Sequence, residues 1–311
     1  MLNGVIVGCY EHVNLIASIF EANQVAVLGF APGGPDEDIT CVPTLEKRFD
    51  HMRLFDDYRE MLQEIKPDLA GLSPRIDRIA DIASQALAAS VHCLCEKPLA
   101  VTWDQLKRLD EACATSRAKL TCLLSMRYDP AFYTLHKQVQ AGAIGDPVLV
   151  SMQKSYQLGT RAAYFQKRSL YGGILPFIGS HTLDLTHFIT GKHFQTFSCW
   201  QTMCHNGGNR EMESAACCQF TFREGGGGVN YLDYFRPGTT ADWADNRMRV
   251  VGSCGIIETD GANVILISDR HDTRLLPLDS AGPAFADYIF DIRQHTDDCI
   301  LKTSDCLYVA K

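Results

Sequence analysis

Gly4-Val-Ile-Val-Gly8-Cys-Tyr-Glu-His-Val13-Asn-Leu-Ile-Ala-Ser-Ile-Phe-Glu-Ala22 decides the fold. A short apolar run stops at a glycine, a turn follows, and from Leu15 to Ala22 apolar residues recur at helical spacing. Val25-Ala-Val-Leu-Gly-Phe30 then reads as a second strand, closed by Pro32-Gly33-Gly34-Pro35. Strand, turn, helix and strand in that order open a βαβ unit with a parallel sheet.

Outward from this start the alternation continues. Tyr58 to Ile65 is helical, Asp68 to Ser73 is a strand closed by Pro74, and Ile76 to Ala89 is a helix. Val91 to Cys95 is a buried strand with Glu96-Lys97-Pro98 directly behind it. Thr102 caps a helix from Trp103 to Thr115, and Lys119 to Leu124 is the last strand of this half. The expected fold class is α/β, with a Rossmann doubly wound parallel sheet over residues 1–124. Residues 125–311 change character. Pro130 opens a helix to Ala141, and a second runs from about His181 to Thr190. Strand-like stretches then follow in series, at 147–154, 196–202, 215–222, 228–234, 248–251, 256–259 and 264–267. This predicts an α+β domain with an open, mostly antiparallel sheet for substrate binding and oligomerisation.

Composition limits the function classes. The 311 residues are 46% hydrophobic and 21% charged, as in a folded globular chain of two domains. A net charge of −8 without a basic stripe argues against nucleic-acid binding. No apolar run has the length of a membrane span, and the first residues show no signal-peptide pattern. The expectation is a cytoplasmic protein whose 13 cysteines are reduced thiols, since none lies in a C-x-x-C pair.

The turn after the first strand is where a dinucleotide pyrophosphate would meet backbone N–H groups at a helix N-terminus. The expected cofactor contacts are Gly8, Tyr10, Glu11 and His12 there, with Tyr10 presenting its backbone. Ala31 and Pro32 would lie by the adenosine ribose, and Ser73, Pro74, Glu96 and Lys97 complete the set. Only Gly8 of the G-x-G-x-x-G glycines is present, and no acidic residue closes the second strand, so NAD and NADP both stay open. Lys97, at the carboxyl end of a strand, can share a substrate hydroxyl's proton during hydride transfer. His181 and Asp184 are three apart on one helical face, suited to proton transfer and to orienting a polyol. With His187 the spacing admits a metal, but the preferred reading has none.

Together these residues resemble the Gfo/Idh/MocA family of NAD(P)-dependent dehydrogenases. The likeness rests on Glu96-Lys97-Pro98, Arg127-Tyr-Asp-Pro130, Gly142-Ala-Ile-Gly-Asp-Pro147, Gly172-Gly173 with Gly179-Ser-His-Thr-Leu-Asp184, and Trp243-Ala-Asp-Asn-Arg247 ahead of Gly252-Ser-Cys-Gly-Ile-Ile-Glu258. The resemblance implies oxidation of a secondary hydroxyl of a sugar, cyclitol or related polyol. Lys97 and His181 would be the catalytic pair, and Asp184 the substrate-orienting group. Tyr156, Arg161, Tyr164 and Arg168 are candidates to line the sugar site. A sheet face bearing Tyr231, Tyr234 and Phe235 is expected to form a homodimer or homotetramer. The chain departs from the family in its lost glycines, in Phe177 where relatives often carry Asp, and in ending at Lys311, where relatives usually continue with a further helix. The competing reading is a non-catalytic nucleotide- or sugar-sensing protein on the same fold.

Overall fold

The computed structural model describes residues 1–269 and 271–311. Among these the chain divides into two compact units. One comprises Met1–Leu123, Ser169–Gly172 and Ala284–Lys311, the other Leu124–Arg168 and Gly173–Pro283. The chain therefore crosses between units more often than a single cut after residue 124 supposes, and residues 284–311 belong with the first half.

The first unit is built on six parallel strands: β1 (Asn3–Val7), β2 (Ala26–Ala31), β3 (Arg53–Leu54), β4 (Leu69–Leu72), β5 (His92–Cys95) and β6 (Leu120–Cys122). Their spatial order is β3-β2-β1-β4-β5-β6, the doubly wound arrangement that the alternation implied. Strands covered on both faces read as continuous apolar runs, and Val5, Ile6 and Val7 have no exposure at all. Helix Val13–Ala22 buries Ile16, Ala17 and Phe20. The two-residue β3 escaped the sequence reading because both its residues are exposed and show no alternation.

Two further helices of this unit, Ala286–Gln294 and Thr303–Ala310, were not expected from the pattern. They join the first unit because they satisfy the open edge of β6. The Thr303 hydroxyl donates to the Leu120 carbonyl at 2.8 Å and accepts from the Leu120 N–H at 3.0 Å. Buried Tyr288 places its hydroxyl 2.9 Å from the carbonyls of both Cys93 and Lys119, and burial holds that phenol's pKa well above 10. A disulfide joins Cys9 to Cys41, which corrects the expectation that every cysteine is a thiol. The segment after β2 folds back beside the turn after β1 and brings the two Cα atoms to 5.6 Å.

The second unit carries an eight-stranded sheet: β7 (Pro147–Tyr156), β8 (Phe194–Thr202), β9 (Ala215–Phe222), β10 (Gly227–Asp233), β11 (Ala244–Gly252), β12 (Gly255–Thr259), β13 (Val264–Ser268) and β14 (His271–Leu275). Its order is β14-β13-β12-β11-β7-β10-β9-β8, antiparallel except where β7 and β10 run parallel. Helices Pro130–Gln140 and Ser180–Thr190 contribute Phe132, Leu135, Leu185 and Ile189 to a core shared with Val150, Met152, Phe220 and Val250 of the sheet. The opposite face presents Leu149, Trp200, Tyr231 and Ile267, which cross-strand register puts on one side and which are 38–59% exposed. Tyr234 corrects the sequence reading: alternation turns it to the covered side, where it is 3% exposed, while Tyr231 faces out.

The C-terminal helices should be held on the first unit largely through Tyr288. Tyr288→Phe removes the buried hydroxyl and the hydrogen bond it gives to these carbonyls, while the Lys119 carbonyl keeps the Cys93 N–H. A loss of about 1–2 kcal/mol in unfolding free energy is expected, measured by urea titration.

Candidate active site

The turn after β1 is fixed from two sides. Gly8 has φ +86°, and a Cβ there would lie 2.2 Å from Pro74, so this position tolerates only glycine. Its N–H donates to Ala31 at 2.9 Å, tying the ends of β1 and β2 together. Tyr10 does not have the orientation expected of it. Its N–H donates to the Ser73 carbonyl at 2.9 Å, and its own carbonyl accepts from the Ser73 hydroxyl. The backbone that was to face the phosphate is thus occupied by the end of β4. Glu11 follows in a left-handed conformation and is exposed. Helix Val13–Ala22 then begins with no acidic residue in its own first turn. Pro32 lines a pocket of about 720 Å³ with Gly33, Gly34, Tyr58, Arg78 and Gln85.

The end of β5 is joined to this turn by charge. The Glu96 side chain has no exposure, yet its Oε2 lies 2.6 Å from His12 Nδ1, and its Oε1 accepts the Lys97 N–H at 2.8 Å. Burial pushes the Glu96 carboxyl up, but the charge and hydrogen bond of His12, with Lys97 beside it, outweigh that and hold it below its ordinary value. The same contact raises His12 above its ordinary 6.5, against a smaller opposing effect of burial. Lys97 is 3% exposed, with Nζ 4.0 Å from Glu96 Oε1. Gly8, Tyr10, His12, Ala31, Ser73, Pro74, Glu96 and Lys97 are therefore brought together by the carboxyl ends of β1, β2, β4 and β5.

In the second unit His181 and Asp184 sit in the first turns of helix Ser180–Thr190 and are buried. Asp184 is gripped by Arg127: Nε lies 3.0 Å from both carboxylate oxygens and Nη2 2.6 Å from Oδ1. Phe188 stacks beneath the guanidinium at 4.6 Å. Preceding the helix is a π-helical turn, Leu175–Gly179, in which Phe177 is buried and packs edge-on to Phe165 at 5.0 Å. His187 Nδ1 bonds the Lys192 carbonyl, and among the described residues no three His, Cys, Asp or Glu side chains are grouped to hold a metal.

The remaining candidates are spread over a wider surface. Tyr156 lies 4.7 Å from Lys154 Nζ, and Arg161 stacks over Tyr234 at 4.6 Å. Buried Tyr164 stacks on Phe165 at 4.6 Å. Arg168 pairs with Glu213 at 2.9 Å, and its N–H donates to Glu211. Two residues deserved more weight in the sequence. Arg127 counted only as part of a motif, although a guanidinium is the natural partner of a buried carboxylate. Lys154 is 1% exposed, with Nζ 2.8 Å from Met126 Sδ and 3.4 Å from Asn246 Oδ1. Its signal was alternation, since Val150, Met152 and Lys154 share the inward face of β7.

Breaking one partner of a buried ion pair strands the other charge. Asp184→Asn should therefore destabilise the protein by about 3–5 kcal/mol in urea unfolding. The double change Arg127→Met with Asp184→Leu should recover much of that loss.

Comparison with known proteins gives these sites a family. The model of the oxidoreductase family's NAD-binding Rossmann fold matches residues 5–123, and that of the GFO/IDH/MocA C-terminal domain matches residues 132–258. A solved structure of a candidate oxidoreductase from Thermotoga maritima is 31% identical, with a TM-score of 0.93 over 99% of this chain and 94% of that one. Inositol 2-dehydrogenase of Salmonella typhimurium is 26% identical over 143 residues, 46% of this chain and 41% of the relative. D-glucoside 3-dehydrogenase of Escherichia coli is 27% identical over 162 residues, 50% and 45% respectively. The chain thus spans less than half the length of these two curated relatives. With both halves matched in order and the Thermotoga maritima relative aligned almost end to end, the chain belongs to the Gfo/Idh/MocA oxidoreductase family, and its first unit is an NAD-binding Rossmann domain.

Proposed function

We propose that this chain is an NAD(P)-dependent dehydrogenase. It would transfer a hydride between the nicotinamide and a secondary hydroxyl or ketone of a sugar, cyclitol or related polyol. The observation that carries the reading is Lys97, a buried lysine at the carboxyl end of β5 in an NAD-binding Rossmann unit, which as the neutral amine can take up a proton. The relatives named for inositol and for a D-glucoside support the substrate class.

The fit for a dinucleotide rests on the turn after β1, the helix N-terminus behind it and the pocket beside Pro32. Gly8, Glu11 and His12 would hold the pyrophosphate, Ala31 and Pro32 the adenosine side, and Ser73, Pro74 and Glu96 the walls. When bound, the nicotinamide accepts or gives the hydride. The chain's task is the proton. As the carbinol carbon becomes a carbonyl its hydroxyl proton must leave, and Lys97 would receive it while His181 acts as acid–base partner or relay. Asp184, locked by Arg127, would hold a neighbouring hydroxyl. Tyr156, Arg161, Tyr164 and Arg168 would line the sugar site. The setting proposed is cytoplasmic, resting on the eleven cysteines present as thiols among the described residues and set against the one Cys9–Cys41 disulfide.

Phe177 favours a second reading. Where relatives often carry Asp, this chain has a ring packed against Phe165, which is compatible with a sensor that binds nucleotide or sugar without turnover. Kinetics separate the two. On any sugar or cyclitol found by NAD(P)H absorbance, Lys97→Met should abolish most turnover with little change in nucleotide affinity. His181→Ala should lower kcat by roughly 10²–10⁴-fold. Near-normal kcat in both variants would favour the sensor. The face with Leu149, Trp200, Tyr231 and Ile267 is proposed to pair with further copies of the chain as a homodimer or homotetramer. Light scattering at micromolar concentration should give a multiple of the 34.5 kDa chain mass, and a monomer would refute the assembly.

A further inference from the structure

The turn that would receive the cofactor's pyrophosphate is built with an anion beneath it. Glu96 is wholly shielded from water, and His12, about half exposed, is the residue whose ring meets it at 2.6 Å. His12 is also the last residue before helix Val13–Ala22, so the residue whose imidazole meets the buried carboxylate leads directly into that helix. We propose that His12 is a positioning residue for cofactor binding, and that the dinucleotide's pyrophosphate binds tightly only while this imidazole carries its proton and cancels the charge of Glu96.

The charges around the turn favour this. Glu96 contributes one negative charge. Lys97 Nζ stands 4.0 Å from its other oxygen, and Glu11 precedes His12 in the chain. With His12 protonated, the Glu96–His12 pair is neutral toward an incoming pyrophosphate. Without the proton, a desolvated carboxylate faces a ligand that is itself negative, in surroundings that screen poorly. The turn has little in reserve, because the Tyr10 N–H, the amide that the missing glycine would have freed for phosphate, is spent on Ser73. Charge from a side chain takes over part of what backbone amides supply in a glycine-rich loop. Glu96 raises His12 above its ordinary 6.5. The proton is therefore retained to higher pH than on an ordinary imidazole, and affinity is expected to be full below the raised pKa and to fall as pH climbs through it.

This inference rests on nucleotide binding by the first unit, and the test separates the two. NADH and NADPH are titrated by fluorescence into the full chain from about pH 6 to about pH 9, the range that spans a raised histidine pKa. For the wild type, the dissociation constant of the nucleotide that binds should rise about tenfold across that range, the scale of one charge at short distance near a surface. His12→Gln should bind about tenfold more weakly at the acid end and show no slope. His12→Lys, with a permanent charge, should bind tightly and flatly throughout. Circular dichroism checks that the variants are folded. If His12→Gln is not, the His12 ring of the wild type is followed by NMR instead, and its pKa should rise by about one unit when NADH is added, the linked equivalent of tenfold. A flat wild-type profile, an unchanged slope in His12→Gln, or an unmoved His12 pKa overturns the role of His12 while leaving nucleotide binding intact. Failure of both nucleotides to bind at every pH overturns the nucleotide reading itself.

Discussion

A carboxylate with no contact with water costs several kcal/mol to hold unless a cation and hydrogen bonds answer it. The first unit accepts that constraint at Glu96, and much of its local order follows from it. The carboxylate at the end of β5 needs a donor from elsewhere, and the turn after β1 supplies one in His12. Two loops from strands that are not neighbours in the sheet are thereby held to a shared geometry. The second unit solves the same problem independently with Arg127 and Asp184, where a planar guanidinium spans both carboxylate oxygens and an aromatic face backs it. In both units a buried ion pair ties together segments that are distant in the chain.

What could be read in the sequence was what depends on neighbours in the chain. The run Gly4 to Ala22 shows its strand, turn and helix because period and punctuation are local, and Glu96-Lys97-Pro98 shows its place because it closes an apolar strand. What could not be read depends on distance. Nothing near Asp184 announces Arg127, and nothing near Cys9 announces Cys41. The last 28 residues carry helical patterns too short and too polar to stand out, and only the open edge of β6 explains where they dock. Tyr234 was misread for a different reason. An aromatic residue in a strand signals burial or exposure equally, and parity, once the register with β9 and β7 is known, decides between them.

The departures from the family pattern have a structural logic of their own. Loss of the second glycine places Tyr10 in the turn, and Ser73 absorbs its backbone in a reciprocal pair of hydrogen bonds. The aromatic Phe177 is likewise accommodated, by a π-helical turn and by the edge of Phe165. Each substitution exchanges a group that could meet a ligand for one that stabilises the protein around it, and so specialises the scaffold.

The parallel pairing of β7 with β10 bears on how the second unit comes into being. The strands on either side of it, β8-β9-β10 and β11 to β14, are meanders that can zip from their own turns. β7 belongs to neither, and both of its partners lie far downstream, at Gly227–Asp233 and Ala244–Gly252. The central strand of the sheet thus comes first among its strands in the chain, while both of its neighbours come much later. Its completion requires closing long loops, the slow kind of contact in folding. Its inward residues Val150, Met152 and Lys154 therefore enter the core through contacts that are distant in the chain.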